Sequence, residues 1–201
     1  AYLNYANATT NASINLGTTT PPSGYTARGW STSSAANATV NVALNGNASI
    51  NTNTTYYMSY TYTVTATYMY NNTSTKPTAT AFMNYTGAKV GGTPTKPANP
   101  TNSGWTFRGW STSSSPSATV ATPGAITADT TYYGSYSKTV TATKYVYNNT
   151  SSTATGTAYL NYANATTNAS INLGTTSLSG YTARGWSTSS AANATVNVAL
   201  N

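Results

Sequence analysis

Polar and apolar residues alternate along 63–70: Val64, Ala66, Tyr68 and Tyr70 fall on one side, and Thr63, Thr65 and Thr67 on the other. That period of two predicts a half-buried β-strand. Residues 71–75, Asn-Asn-Thr-Ser-Thr, read as a turn, and 78–85 resume the extended pattern, so the two runs predict a hairpin. A second copy of this pattern covers 139–147, turns over 148–152 and returns through Ala158 to Tyr162. It carries one extra residue, Lys144, which predicts either a bulge or a slid register. The segment 91–100 holds two glycines and three prolines and predicts a surface crossing. A short Gly-Trp strand and a Ser-rich loop follow, and the unit closes on a strand ending in 132–136, Tyr-Tyr-Gly-Ser-Tyr, whose earlier copy is 56–60. The adjacent rings Tyr56 and Tyr57, like Tyr132 and Tyr133, point to opposite strand faces, so one of each pair is expected to be buried. Helix is weakly supported anywhere, because Asn, Thr and Val interrupt the Ala-rich stretches.

These elements recur. Residues 158–176 copy 1–19 letter for letter and 180–201 copy 24–45, the two blocks joined by loops that differ by one residue. Such a loop change between conserved blocks marks a stretch of a repeating array. Within it, Ser-Gly-Tyr-Thr-Ala-Arg-Gly-Trp-Ser-Thr at 23–32 returns at 103–112 and 179–188, the middle copy carrying Trp105 for Tyr and Phe107 for Ala. The pattern predicts three segments: 1–62, lacking the opening strand; 63–138, with a full set of elements; and 139–201, lacking the closing strand. The outer segments are open-edged, so either the polypeptide continues or neighbouring chains complete them.

Composition narrows the function. The chain has no Cys, His, Glu or Gln, and Asp129 is its single acid. General acid/base catalysis, metal ligation and nucleophile activation draw on those side chains, so no enzyme, cofactor or metal centre is expected. The net charge of +7 is scattered, with no basic stripe, which argues against nucleic acid as a partner. Arg28, Arg108 and Arg184 each precede Gly-Trp, and a shared role against an aromatic ring is expected. No apolar run approaches the length of a membrane span. Asn-x-Ser/Thr triplets are frequent, as a chain dominated by these residues would have by composition alone.

The motif Gly24-Tyr25-Thr26-x-x-Gly29-Trp30-Ser31-Thr32, followed by Thr54-Thr55-Tyr56-Tyr57, resembles the Listeria-Bacteroides repeat, also called the internalin B-repeat. The copy from Gly104 to Thr112, followed by Asp129-Thr130-Thr131-Tyr132-Tyr133, resembles it more closely. The resemblance implies small β-grasp, ubiquitin-like modules strung in tandem on bacterial surface proteins and adhesins, with no catalytic residues. This chain departs from the pattern in replacing charged residues by Asn, Ser and Thr, in an added hairpin around 68–82, and in carrying Asn53 where the central copy has Asp129.

The expected fold class is therefore mainly β: tandem β-grasp-like modules joined by hairpins, with little helix. Tyr25, Trp30, Tyr57, Trp105, Trp110, Tyr133, Tyr181 and Trp186 are the expected repeat-core aromatics, because fixed repeat positions in a chain poor in Leu and Phe favour packing over ligand contact. The expected function is structural: an extracellular surface fibre, stalk or filament whose partners are copies of itself. The alternative is a carbohydrate-binding or adhesive module that grips glycans with exposed Trp and Tyr.

Overall fold

The computed structural model describes residues 1–200; residue 201, the last of the third segment, lies outside the described residues. The chain is mainly β, with 45% strand and no α-helix. It divides into two compact units that are not contiguous in sequence: the first takes Ala1–Tyr68, Ser74–Ala98 and Thr122–Tyr132, the second Met69–Thr73, Asn99–Ala121 and Tyr133–Asn201.

In the first unit, β1 (Tyr2–Leu3) pairs with β2 (Thr9–Thr10). Next come β3 (Ala12–Asn15), β4 (Thr26–Ser31) and β5 (Asn47–Ile50), with β3 antiparallel to β5. The long β6 (Tyr57–Tyr70) carries the alternating pattern. After it come β7 (Thr73–Thr75), β8 (Thr78–Asn84) and β9 (Lys89–Val90). Strand β4 pairs with the first part of β6, and β8 pairs with β6 from Ser59↔Asn84 to Thr65↔Thr78. The hairpin expected from 63–85 is thus formed. Its tip, which belongs to the second unit, is Asn71-Asn72, both at positive φ (47° and 59°), the conformation of a two-residue hairpin turn that asparagine tolerates well.

Burial follows the alternation. Val64, Ala66 and Tyr68 are buried, while Thr63 is exposed and Thr65 and Thr67 are half-covered. The Tyr68 ring stacks on Tyr132 at 5.2 Å, and the only carboxylate of the chain, Asp129, accepts the Thr65 backbone N–H at 2.8 Å. The 91–100 crossing is irregular, as expected, yet touches the interior: Gly92 and Pro94 are buried, and Gly92 exchanges two backbone hydrogen bonds with Ile126. Only glycine fits at 92, because a Cβ there would stand 2.5 Å from the Thr80 carbonyl oxygen.

The second unit repeats the plan. Strand β10 (Thr106–Ser111) pairs with β11 (Thr130–Val146) between Thr106↔Ser137 and Ser111↔Tyr133. β11 pairs with β12 (Thr150–Leu160), which also holds the short β13 (Thr166–Thr167). Neither alternative expected at Lys144 occurs. The register runs unshifted from Tyr136↔Leu160 to Val146↔Thr150, and the extra residue is absorbed at the tip, where a three-residue turn (Tyr147–Asn149) replaces the two-residue one. The insertion acts instead through parity. Because strand side chains alternate, every residue beyond it changes face. Lys144 stands at the inward position that Tyr68 holds in the first arm, and Tyr145 and Tyr147 are turned outward, 64% and 71% exposed.

The heart of this unit is aromatic. Phe107 meets Trp110 at 5.4 Å and Tyr136 at 5.3 Å, both edge-on, and Tyr70 meets Trp110 at 5.8 Å. Tyr136 is fully buried, and its hydroxyl donates to Asn71 Oδ1 at 2.8 Å. Burial pushes its pKa up to about 12, with the Tyr70 hydroxyl adding to the rise. A phenol held neutral in the fold but titrating near 10 when unfolded contributes stability that is complete below about pH 10 and lost as pH climbs towards about 12. Tyr136→Phe is therefore expected to flatten the decline of unfolding free energy across that window, while costing about 1 kcal/mol at neutral pH through the lost hydrogen bond. Urea unfolding at stepped pH, with ultraviolet titration of the tyrosines, checks this; equal alkaline slopes for the two proteins would refute it.

Candidate functional site

The feature that recurs with full geometry is the contact between a Gly-Trp strand, a Tyr-Tyr strand and the hairpin that follows. It begins with a bulge. In β4 the pairing steps from Ala27↔Tyr60 to Gly29↔Ser59, leaving Arg28 as the extra residue, and β10 skips Arg108 in the same way. Gly29 makes this possible: its φ is +132°, and a Cβ would lie 2.7 Å from both Val40 Cγ1 and the Val42 carbonyl oxygen.

The bulge aims the guanidinium inward. Arg28 Nη1 donates to the Ala38 carbonyl (2.8 Å), the Ser59 hydroxyl (3.2 Å) and, at the limit, the Ala36 carbonyl (3.5 Å), with its charged carbon 4.8 Å from the centre of the Phe82 ring. Arg108 repeats the set with Ala118 (3.2 Å), Ser135 (2.9 Å), Pro116 (3.4 Å) and the Tyr159 ring at 4.7 Å. Each arginine thus binds its own strand, the Ser-rich loop, the Tyr-Tyr strand and the hairpin into one knot. The aromatic partners expected for these two arginines are thereby identified. Carbonyls, a hydroxyl and a π face take up the charge, and the planar guanidinium suits that set better than an ammonium would. Arg108→Lys is expected to cost about 1–3 kcal/mol. Arg184→Lys should stay within about 0.5 kcal/mol, as for a surface site away from special features. Urea midpoints for both variants, at unchanged m, are the measurement.

The sequence-selected aromatics sit as follows. Trp110 is buried, 2% exposed; Tyr25, Trp30, Tyr57, Trp105, Tyr133 and Trp186 are half-buried; Tyr181 is 77% exposed. Tyr25 lies 4.9 Å from Tyr62, with Lys89 Nζ 5.3 Å from the Tyr62 ring and its pKa raised by a hydrogen bond with Tyr25. Tyr57 meets Tyr85 at 5.1 Å and Tyr133 meets Tyr162 at 4.8 Å. The burial split expected within each Tyr-Tyr pair is not seen. All four rings are half-buried, and in the second pair both faces of the strand find a ring: Tyr132 stacks on Tyr68 while Tyr133 meets Tyr162. Sequence reading missed the covering rings Phe82 and Tyr159 and the buried hydroxyls Ser59 and Ser135. Their signal was available in the recurring Tyr-Tyr-x-Ser and in the first aromatic of the returning hairpin strand, whose spacing from the Tyr-Tyr pair grows by one residue in the arm that carries Lys144.

The third Gly-Trp copy has the same letters as the first and a different structure. The Trp186 amide bonds to the Val198 carbonyl at 2.8 Å, as Trp30 does to Val42, and the Trp186 indole donates to Gly174 at 2.9 Å, as Trp30 does to Gly17 at 3.1 Å. No strand forms over 182–187, however, where a short strand was expected. Arg184 is exposed with no hydrogen-bond or ring partner among the described residues, and Ser187 is exposed where Ser31 is buried. A cleft of about 1230 Å³ lies here, lined by Thr182, Arg184, Trp186 and Ser187 and by Lys144 and Val146 of β11.

No helix among the described residues is long and apolar enough to cross a membrane. No curated protein and no solved structure matches the chain. Residues 62–135 match the family model of the Listeria-Bacteroides repeat domain, a repeat of bacterial surface proteins that is typically non-catalytic. This stretch holds the first hairpin, the central Gly-Trp strand and the following Tyr-Tyr strand, so over residues 62–135, less than half of its length, the chain is similar to the Listeria-Bacteroides repeat.

Proposed function

We propose that this protein is a structural element of an extracellular bacterial surface fibre, stalk or filament, built by end-to-end stacking of β modules with copies of itself as partners. One observation carries the reading. Phe82, inside the family-matched stretch, covers Arg28, outside it, and Tyr159 covers Arg108 in the same geometry. The ring that closes one Gly-Trp motif is thus donated by the hairpin opening the next sequence repeat. Repeats joined in this way are interlocked rather than merely adjacent, which suits a tether that must resist extension. The segments 1–62, 63–138 and 139–201 are in this reading one complete and two incomplete turns of the array, and the expected core aromatics are its packing points. The β-grasp character of the module rests on the resemblance.

Small-angle X-ray scattering on this chain, and on versions lengthened by one and two further periods, tests the proposal. The maximum dimension should rise linearly with the number of periods. Growth with the roughly 0.38 power of length that compact globules follow would refute it. The alternative, a carbohydrate-binding or adhesive surface, draws support from Tyr145 and Tyr147, exposed and two residues apart on the outer face of one arm. Saturable glycan binding lost in a double Tyr145→Ser, Tyr147→Ser variant would favour it.

A further inference from the structure

We infer that Tyr25 and Tyr62 form a site of oxidative cross-linking, at which a haem peroxidase with hydrogen peroxide joins the two rings by a carbon–carbon bond. The modification goes beyond the array reading, since its chemistry needs only one folded chain.

The chain holds 18 tyrosines and no cysteine, so phenol rings are its most abundant oxidisable groups and a disulfide is closed to it. Tyrosine rings meet at Tyr25–Tyr62, Tyr57–Tyr85, Tyr68–Tyr132 and Tyr133–Tyr162, with centres 4.9, 5.1, 5.2 and 4.8 Å apart. Twist and burial separate these contacts. Tyr68 and Tyr132 lie nearly flat on one another at 18°, with Tyr68 only 1% exposed, and Tyr57 and Tyr85 meet at 33°. Tyr25–Tyr62 and Tyr133–Tyr162 meet at 48° and 47°, and these four rings are half-buried, within reach of an oxidant in water. Such a separation and twist are close to those of two phenyl rings already bonded to each other, so little motion divides contact from product. Tyr25–Tyr62 is set apart by what holds it. The Tyr62 hydroxyl donates to the Thr127 carbonyl at 3.0 Å, and Lys89 Nζ stands 5.9 Å from the centre of the Tyr25 ring and 5.3 Å from that of Tyr62. One ammonium thus attracts both rings and keeps them together. Tyr133 and Tyr162 have no such cation among the described residues. Lys89 is therefore a positioning residue: by fixing one ring beside the other it decides whether a radical meets its neighbour before it is lost.

Each ring gives up one electron and its phenolic proton, and the two radicals form one bond between carbons ortho to their oxygens. Those carbons then release their hydrogens as protons while the oxygens regain protons, so the product is two hydrogens lighter and keeps both hydroxyls. The oxygen–oxygen bond of the peroxide breaks, and with the haem as carrier it takes up the two electrons and two protons as two waters. The new bond closes 25–62 into a covalent loop that contains β4, the Ser-rich loop and β5. Tension along the chain would pass from Tyr25 to Tyr62 through that bond, leaving the Gly-Trp strand and the Arg28–Ser59 contact unloaded. The loop also restricts the unfolded chain, the means by which a cross-link stabilises a fold.

The test oxidises the whole chain at high dilution with a haem peroxidase and limiting hydrogen peroxide, and follows dityrosine fluorescence and tandem mass spectra of tryptic peptides. The expected first product is a single chain two hydrogens lighter, with peptides 1–28 and 29–89 joined through Tyr25 and Tyr62, formed severalfold faster than any link between Tyr133 and Tyr162. Tyr62→Phe should remove that product. Lys89→Gln should erase the lead over Tyr133–Tyr162 and Lys89→Arg should restore it, whereas a general loss of fold would slow both sites alike. The purified linked chain should melt about 5–15 °C higher than the unlinked one. Three results would overturn the proposal: links formed chiefly between chains, equal yields at the two sites in the unaltered protein, or fluorescence that Tyr62→Phe leaves unchanged.

Discussion

Replacing Trp110 by alanine should lower the stability of the second unit by about 3–5 kcal/mol, the range for deleting a large buried aromatic. The indole is 2% exposed and sits between the edge-on rings of Phe107 and Tyr70, while its backbone carbonyl accepts the Ala121 amide at 2.8 Å. A unit with so few large apolar residues has little to close the cavity with, so the loss falls near the upper end. It would remove much of a stability that for small domains totals only about 5–15 kcal/mol. Tyr181→Ala is the matched control. Its ring, in the third Gly-Trp motif, is 77% exposed, and the change should stay within about 0.5 kcal/mol. Hydrogen exchange of the β10 amides with urea unfolding by circular dichroism measures both. Equal effects at 110 and 181 would mean that the repeats do not differ in packing as described.

The second large effect comes from a pair of substitutions in one local sequence. Ala-Tyr-Leu-Asn-Tyr occupies 1–5 and 158–162. In the later copy Leu160 is 4% exposed opposite Tyr136, Tyr159 lies over Arg108 and Tyr162 meets Tyr133. In the earlier copy Leu3 is 64% exposed, and Tyr2 and Tyr5 are exposed with it. Leu160→Ala is expected to cost about 2–5 kcal/mol and Leu3→Ala no more than about 0.5 kcal/mol. A substantial loss at Leu3 would show that the first copy finds a covering partner in solution, and scattering at several concentrations would identify it as another chain.

Much of the architecture was legible from the letters. The alternation at 63–70 gave the buried face of β6, Asn-Asn marked the hairpin tip, and the arginine before Gly-Trp pointed to a ring. These features depend on residues near in sequence, where strand period and turn chemistry act directly. The identity of the ring was not legible. Phe82 and Tyr159 lie about fifty residues from the arginines they cover, and only the return of the hairpin over the Gly-Trp strand brings them there. Lys144 shows a different limit. Its presence was visible, but whether a strand absorbs an added residue as a bulge, a slip or a longer turn depends on which pairs already hold the base. Here the pairs from Tyr136↔Leu160 upward kept register and passed the change to the tip.

The two copies of Gly-Tyr-Thr-Ala-Arg-Gly-Trp-Ser mark the division. Sequence by itself determined what both share: the turn leading in, the positive φ of the glycine, the tryptophan bridge to a valine twelve residues on and the indole bond to a glycine carbonyl. Tertiary structure alone decided whether these residues become a strand, because half of a strand's hydrogen bonds belong to its neighbour. Where β6 lies alongside, 26–31 are a strand with a clamped arginine; at 182–187, where none of the described strands lies alongside, the same letters form no strand.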